Sequence, residues 1–210
     1  MSKAKIAVLV SGGGTNLQAL IDAEKSGIIK NGSISLVISN VSGAYALERA
    51  KNAGIKTETV IKKELGGQAA FEEKIISLLT ENEIDLIVLA GFMSILSENF
   101  TKTYPHRIVN VHPSLIPSFC GKGFYGLHVH EAALAKGVKV TGATVHFVNE
   151  IPDGGEIILQ KAVEIKEGDT PEILQKRVMV EAEWNILPEA VSLFCQDRLE
   201  VKNNKVYIGE

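Results

Sequence analysis

The sequence predicts an α/β domain on a mostly parallel sheet, and three observations carry that prediction. Strand-like and helix-like runs alternate from the first residues, the pattern of strands covered by crossover helices. The run Asp85 to Ala90 (DLIVLA) is apolar without alternation, as in a parallel strand buried on both faces. Near the C-terminus two extended runs, 139–149 and 156–165, are separated only by a turn containing PDGG, which makes that part of the sheet antiparallel.

Each element has a local cause. Ile6 to Val10 is the first strand, and from Asn16 to Lys25 the residues Leu17, Leu20 and Ile21 form one apolar helical stripe. Ile34 to Ser39 is the second strand. The helix over 44–53 stops at Gly54, and 56–61 is a weaker strand. Phe71, Ile75, Leu78 and Leu79, spaced i, i+4, i+7 and i+8, mark the clearest helix, which leads into the strand 85–90. A short helix over 97–103 precedes the strand 108–111. Five proline and glycine residues between His112 and Gly126 require a loop, and a loop of that length is usually functional or mobile. A helix over 131–136 follows it. Thr170-Pro171 caps a later helix that is expected to kink near Pro188. Residues 198–209 read as a hairpin around Asn203-Asn204. Together these elements describe a Rossmann-like open, twisted, mostly parallel sheet with helices on both faces, in a single domain over 1–210.

Composition narrows the function. Of 210 residues, 45% are hydrophobic and 22% charged, so disordered and collagen-like architectures are excluded. The net charge of −3, with no block of one sign, offers no footprint for nucleic acid and favours a small-molecule partner. Cys120 and Cys195 are the only cysteines and form no C-x-x-C pair, which argues against a disulfide framework or zinc ribbon and fits a reducing cytoplasm. The apolar runs at Ile6–Val10 and Leu86–Met93 are too short for a signal peptide core or a membrane span. A cytoplasmic protein without a membrane partner is expected.

The first strand runs into SGGGTN. Three glycines between a buried strand and a helix allow close approach of a ligand and aim backbone N–H groups at an anion, so Gly13, Gly14, Thr15 and Asn16 are candidate phosphate contacts. A tight turn without a ligand is the plainer alternative. Gly12 and Gly14 match the dinucleotide fingerprint, but Leu17 stands where its third glycine belongs, and the second strand ends in Ser39-Asn40 rather than an acidic residue. A single phosphate fits better than NAD.

Strand 108–111 ends in Asn110-Val111-His112-Pro113. Residues i and i+2 share a face, so Asn110 and His112 project together at the carboxyl edge, where open α/β sheets bind ligands. A carboxamide can stabilise an oxyanion and an imidazole can move a proton near neutral pH, a combination suited to acyl transfer. His146 and Asp153-Gly154-Gly155 follow. A carboxylate near His112 favours its protonated form, and the glycines let that loop pack against a ligand. Singly, a His before Pro and an Asp-Gly turn are also ordinary structure. His128 and His130 diverge on a helix, so no metal site is expected.

Four segments, SGGGTNL at 11–17, LAGFM at 89–93, NVHPSLIPSF at 110–119 and HFVNEIPDGGEIILQ at 146–160, resemble in order those of the formyl-folate transferase family. The first of them resembles in particular its phosphoribosylglycinamide formyltransferases. The resemblance implies direct formyl transfer from 10-formyltetrahydrofolate, a co-substrate, to the primary amine of glycinamide ribonucleotide in purine synthesis, with no metal. It implies catalytic roles for Asn110, His112 and Asp153, with His146 supporting them. Phosphate contacts fall on Gly13, Gly14, Thr15 and Asn16 in the 1–100 half, and a ribose contact on Glu183. The folate site falls on Leu89, Met93, Ser94, Ile95, Leu96, Asn110, Val148, Asn149, Glu150 and Asp153, with apolar walls around Met93 and Leu96. Catalysis and most of the folate contacts thus belong to the 101–210 half. Many relatives carry Arg where Ser94 stands, which puts a folate contact at that position in doubt. The segment SFCGKGFYG is longer than in several relatives and is expected to be a mobile lid.

Formyltetrahydrofolate hydrolases and methionyl-tRNA formyltransferases share parts of this pattern. The first carry an extra N-terminal domain and the second a C-terminal tRNA-binding domain, for which a first strand near Lys5 and a 210-residue chain leave no room. A non-catalytic phosphometabolite-binding module is the alternative from another class. Either a monomer or a homodimer is compatible with the sequence.

Overall fold

The computed structural model describes residues 3–209. Seven strands form one sheet in the order β3-β2-β1-β4-β5-β6-β7. β1 (Ala4–Val10), β2 (Gly32–Ser39), β3 (Lys56–Thr59), β4 (Leu86–Leu89) and β5 (Ile108–His112) are parallel. β6 (Val140–Phe147) and β7 (Ile157–Glu164) complete the sheet antiparallel, as the short PDGG connection requires. A separate hairpin, β8 (Leu199–Lys202) and β9 (Lys205–Ile208), turns at Asn203-Asn204.

Alternate residues of the parallel strands enter two cores. Ile6, Val8 and Val10 of β1 pack with α1 (Thr15–Lys25), α2 (Tyr45–Asn52), α5 (Leu127–Lys136), α6 (Pro171–Val178) and α7 (Trp184–Cys195) on one face. Ala7 and Leu9 pack on the other with α3 (Gln68–Glu81) and α4 (Glu98–Thr103). The apolar stripe expected on the third helix is fully used: Phe71 and Ile75 are completely buried, worth about 2 kcal/mol each.

β5 and β6 depart from this scheme. Val109, Val111, Ala143 and Val145 face the first core, so Asn110, His112, Thr144 and His146 turn to the opposite side. Loops, not a helix, cover that stretch of the sheet: Ile116 N donates to Thr144 Oγ1 at 3.1 Å, and Thr144 Oγ1 donates to Ser114 O at 2.7 Å.

Several boundaries differ from expectation. α5 begins at Leu127 rather than 131, and Val129, in its first turn, is fully buried. β6 ends at Phe147, two residues short of the expected limit, and β3 ends at Thr59. The irregularity expected near Pro188 lies at a π-helical turn, Met179–Glu183, and Pro188 sits inside α7. A proline conflicts with the carbonyl four residues before it, here that of Trp184, so the disturbance falls on its N-terminal side. Among the described residues no helix is long and apolar enough to cross a membrane.

Candidate active site

The carboxyl ends of β1, β4 and β5 share one edge of the sheet, and they deliver the glycine loop, the 90–97 segment and the Asn110–His112 pair to it. β1 and β4 flank the point where strand order reverses, the position at which such sheets open a ligand crevice.

Gly14 precedes α1 with φ of +71°, and a Cβ there would meet the Cβ of Ala46 at 2.6 Å. This glycine is therefore needed for packing against α2, whereas Gly12 and Gly13 face open space. Arg49, a residue for which the sequence offered no motif, stacks over Tyr45 and donates from Nε to Gly13 O at 2.8 Å. Thr15 is exposed. Asn16 Nδ2 donates to Glu183 Oε2 at 2.7 Å, joining groups 167 positions apart. Glu183 comes from the π-helical turn and is buried. Burial pushes its carboxyl up to about 7 against the opposing hydrogen bond from Asn16. Asn16 Oδ1 is also buried and has no partner among the described residues.

The Asn110–His112 pair is completed from β6 and the loop behind it. Asn110 lies opposite His146 in the register, with Nδ2 and Nε2 3.2 Å apart. His146 Nδ1 lies 2.7 Å from Phe147 O and donates to it, and Nε2 faces both Asn110 Nδ2 and Asp153 Oδ1. The Asn110 carboxamide keeps an amide hydrogen for a ligand. Asp153 stands between the histidines, with Oδ2 3.6 Å from His112 Nδ1 and Oδ1 3.6 Å from His146 Nε2. Burial pushes the Asp153 carboxyl up, but His146, His112 and the Gly121 amide together outweigh it and hold the group below its usual range.

The charge balance at His112 sharpens one expectation. Asp153 does favour the imidazolium, yet burial dominates and the net shift is downward from 6.5. A ring 5% exposed loses more hydration than one carboxylate at 3.6 Å returns.

The 113–126 loop lies against this centre. His112 Nε2 is 2.9 Å from Phe119 O, and Gly121 N donates to Asp153 Oδ2 at 2.8 Å. Both are main-chain partners, which side-chain motifs do not reveal. Gly155 corrects another expectation: it packs against protein, since a Cβ there would stand 1.9 Å from Phe147 O. Asn149 shapes the same turn through Ile151 N at 2.9 Å and Gly154 O at 3.3 Å, while Glu150 is exposed.

The expected apolar walls divide. Leu89 and Leu96 are buried in the second core, with the partly buried Val148 packed against it. Met93 and Ile95 are 55% and 72% exposed and form the apolar surface on offer. Ser94 Oγ accepts from Asn40 Nδ2 at 2.7 Å. His128 and His130 diverge as expected. The first is exposed beside Glu131, and the second is fully buried with both ring nitrogens unpartnered, its pKa pushed down to about 4. Burial raises both thiols, Cys195 to about 12, so neither is activated as a nucleophile. Among the described residues no group of three or more His, Cys, Asp and Glu side chains is placed to hold a metal ion.

Known proteins share this arrangement of chain. The phosphoribosylglycinamide formyltransferase of Escherichia coli strain K12 is 41% identical over 203 residues, covering 97% of this chain and 92% of its own length. The trifunctional purine biosynthetic protein adenosine-3 of Homo sapiens is 44% identical over 202 residues; 96% of this chain is covered, but the chain spans only 19% of that relative's length. The solved structure of glycinamide ribonucleotide transformylase 1 from Symbiobacterium toebii superposes with a TM-score of 0.92 at 41% identity, covering 99% of this chain and 95% of that one. The sequence model described as formyl transferase matches residues 4–191, and the chain therefore belongs to the formyl transferase family.

Proposed function

We propose that the chain transfers the formyl group of 10-formyltetrahydrofolate to the primary amine of glycinamide ribonucleotide, as a single cytoplasmic transferase unit over 1–210 serving purine biosynthesis. The observation that carries this reading is the convergence of Asn110, His112, His146 and Asp153 at the carboxyl edge of the sheet. The glycine loop, Asn16 and Glu183 are suited to the phosphate and ribose of the amine substrate. Met93 and Ile95 offer an apolar surface for the pterin, whose polar rim suits the backbone around Val148 to Asp153.

In this mechanism the amine nitrogen attacks the formyl carbon, a new C–N bond forms, and the carbonyl electrons move onto oxygen. The free Asn110 amide hydrogen and the His112 ring N–H stabilise that oxyanion. Burial keeps the His112 ring mostly neutral at pH 7 in the unliganded protein, so an adjacent oxyanion is what raises its proton affinity. Collapse breaks the bond to the folate nitrogen. The proton lost by the attacking nitrogen reaches the departing one through Asp153 and water. Phe119 O must release His112 Nε2 for this nitrogen to meet the substrate, which gives the 113–126 loop the role of a lid.

The test measures tetrahydrofolate release from 10-formyltetrahydrofolate with and without glycinamide ribonucleotide. Amine-dependent release is expected. Equal release without the amine would indicate a hydrolase, and none in either case a binding module. His112→Ala is expected to lose at least about 100-fold in turnover with the fold intact; near-normal activity in that variant refutes the assignment.

A further inference from the structure

At the crevice between β1 and β4 three side chains and one amide close a ring. Ser11 Oγ, at the start of the glycine loop, donates to Asn40 Oδ1 at 2.7 Å. Asn40 Nδ2, just past β2, donates to Ser94 Oγ at 2.7 Å. Met93 N then donates to Ser11 Oγ at 2.8 Å. We propose that Asn40 is a positioning residue that sets the width of this crevice, holding the amine acceptor and the formyl donor in reacting register. This rests on the transfer reading above, because it concerns how two substrates are aligned.

Three features support the tie. The ring joins the exits of β2, β1 and β4, which are neighbours in the sheet, and so spans the two segments assigned to the two substrates. Asparagine presents an acceptor and a donor on one short planar group, which is what a bridge between two hydroxyls requires. Ser94 supplies the acceptor. A side chain with donors only at 94 would leave Asn40 Nδ2 without this partner.

The far side of the donor segment is held independently. Glu72 Oε1 accepts from Ser97 N at 2.6 Å, and Gln68 Nε2 donates to Ile95 O at 3.1 Å, which anchors the segment on α3. Those contacts fix its back. The Asn40 ring is the contact that relates its front to the glycine loop. Reacting atoms displaced by about 1 Å lose on the order of 100-fold in rate, so a tie across the crevice acts on turnover more than on either affinity.

The experiment compares Asn40→Ala, Ser94→Ala, the double variant and Ser94→Thr. Turnover, the Kd of each substrate alone, and amide hydrogen exchange over 11–14 and 91–96 are measured. Asn40→Ala and Ser94→Ala are each expected to lower kcat about 10- to 100-fold with both Kd values within about threefold. The double variant should match the singles, Ser94→Thr should recover kcat, and exchange should quicken in both segments together. Unchanged kcat in Asn40→Ala, multiplying effects in the double variant, or a loss confined to one Kd would overturn the proposal. Failure of the transfer reading shows separately, as a wild type without amine-dependent turnover. Exchange still reads the tie in that case, and unchanged exchange in Asn40→Ala refutes it.

Discussion

Gly155→Ala is the most informative single-atom test of the site, because one methyl group acts on both His146 and Asp153. A Cβ at 155 would stand 1.9 Å from Phe147 O and 2.7 Å from its carbonyl carbon. Ordinary contact lies about 1.5 Å farther out, so either the Phe147 peptide or the 151–155 loop must retreat. Retreat of the peptide withdraws the acceptor that holds His146 Nδ1 at 2.7 Å. Retreat of the loop carries Asp153 from His112, already 3.6 Å away, and from the Gly121 amide. Overpacking of this kind costs about 1–3 kcal/mol in stability, and a displacement of about 1 Å costs on the order of 100-fold in turnover. Initial rates of amine-dependent tetrahydrofolate release, with thermal unfolding in parallel, decide the matter. If Gly155→Ala turned over within about threefold of wild type at unchanged stability, the argument from close approach would be wrong.

Two further predictions concern pH. Glu183 titrates at about 7 in the folded chain against 4.5 otherwise, so its contribution to stability is complete below pH 4.5 and is lost as pH rises through 7. The loss amounts to about 3 kcal/mol; urea unfolding at pH 5 and 8.5 should show it in wild type and not in Glu183→Gln, and parallel curves would refute it. His130 has the opposite sign, with its pKa depressed from 6.5 to about 4. Its contribution is present above pH 6.5 and falls by about 3 kcal/mol as pH drops through 4. His130→Leu, which leaves no buried imidazole to charge, should move acid unfolding to lower pH, and an unchanged acid midpoint would show that His130 does not govern it.

How far the sequence reaches depends on the distance over which a property is set. Periodicity within a few residues placed the strands, the stripe of Phe71, Ile75, Leu78 and Leu79, and the shared face of Asn110 and His112. Glycine and proline content marked the loop after His112, because those residues restrict the backbone wherever they stand. The residues themselves singled out His146 and Asp153 beside the Asn110–His112 pair, and the resemblance added Glu183 as a candidate ribose contact. The break ahead of Pro188 was displaced from its expected place, since a proline acts on the preceding turn and packing chooses where the helix gives way.

By itself, then, the amino-acid sequence determined the α/β class, the order of its elements and which side chains are candidates for the chemistry, the first two being properties of near neighbours. Only the tertiary structure decided the rest. Asn16 meets Glu183 across 167 residues, Ser94 meets Asn40 across 54, and Asp153 meets the Gly121 amide across 32, through strand register and loop packing that no local pattern encodes. Burial belongs to the same level. At His112 it outweighs the carboxylate that favours the imidazolium, because the hydration a ring loses depends on everything packed around it.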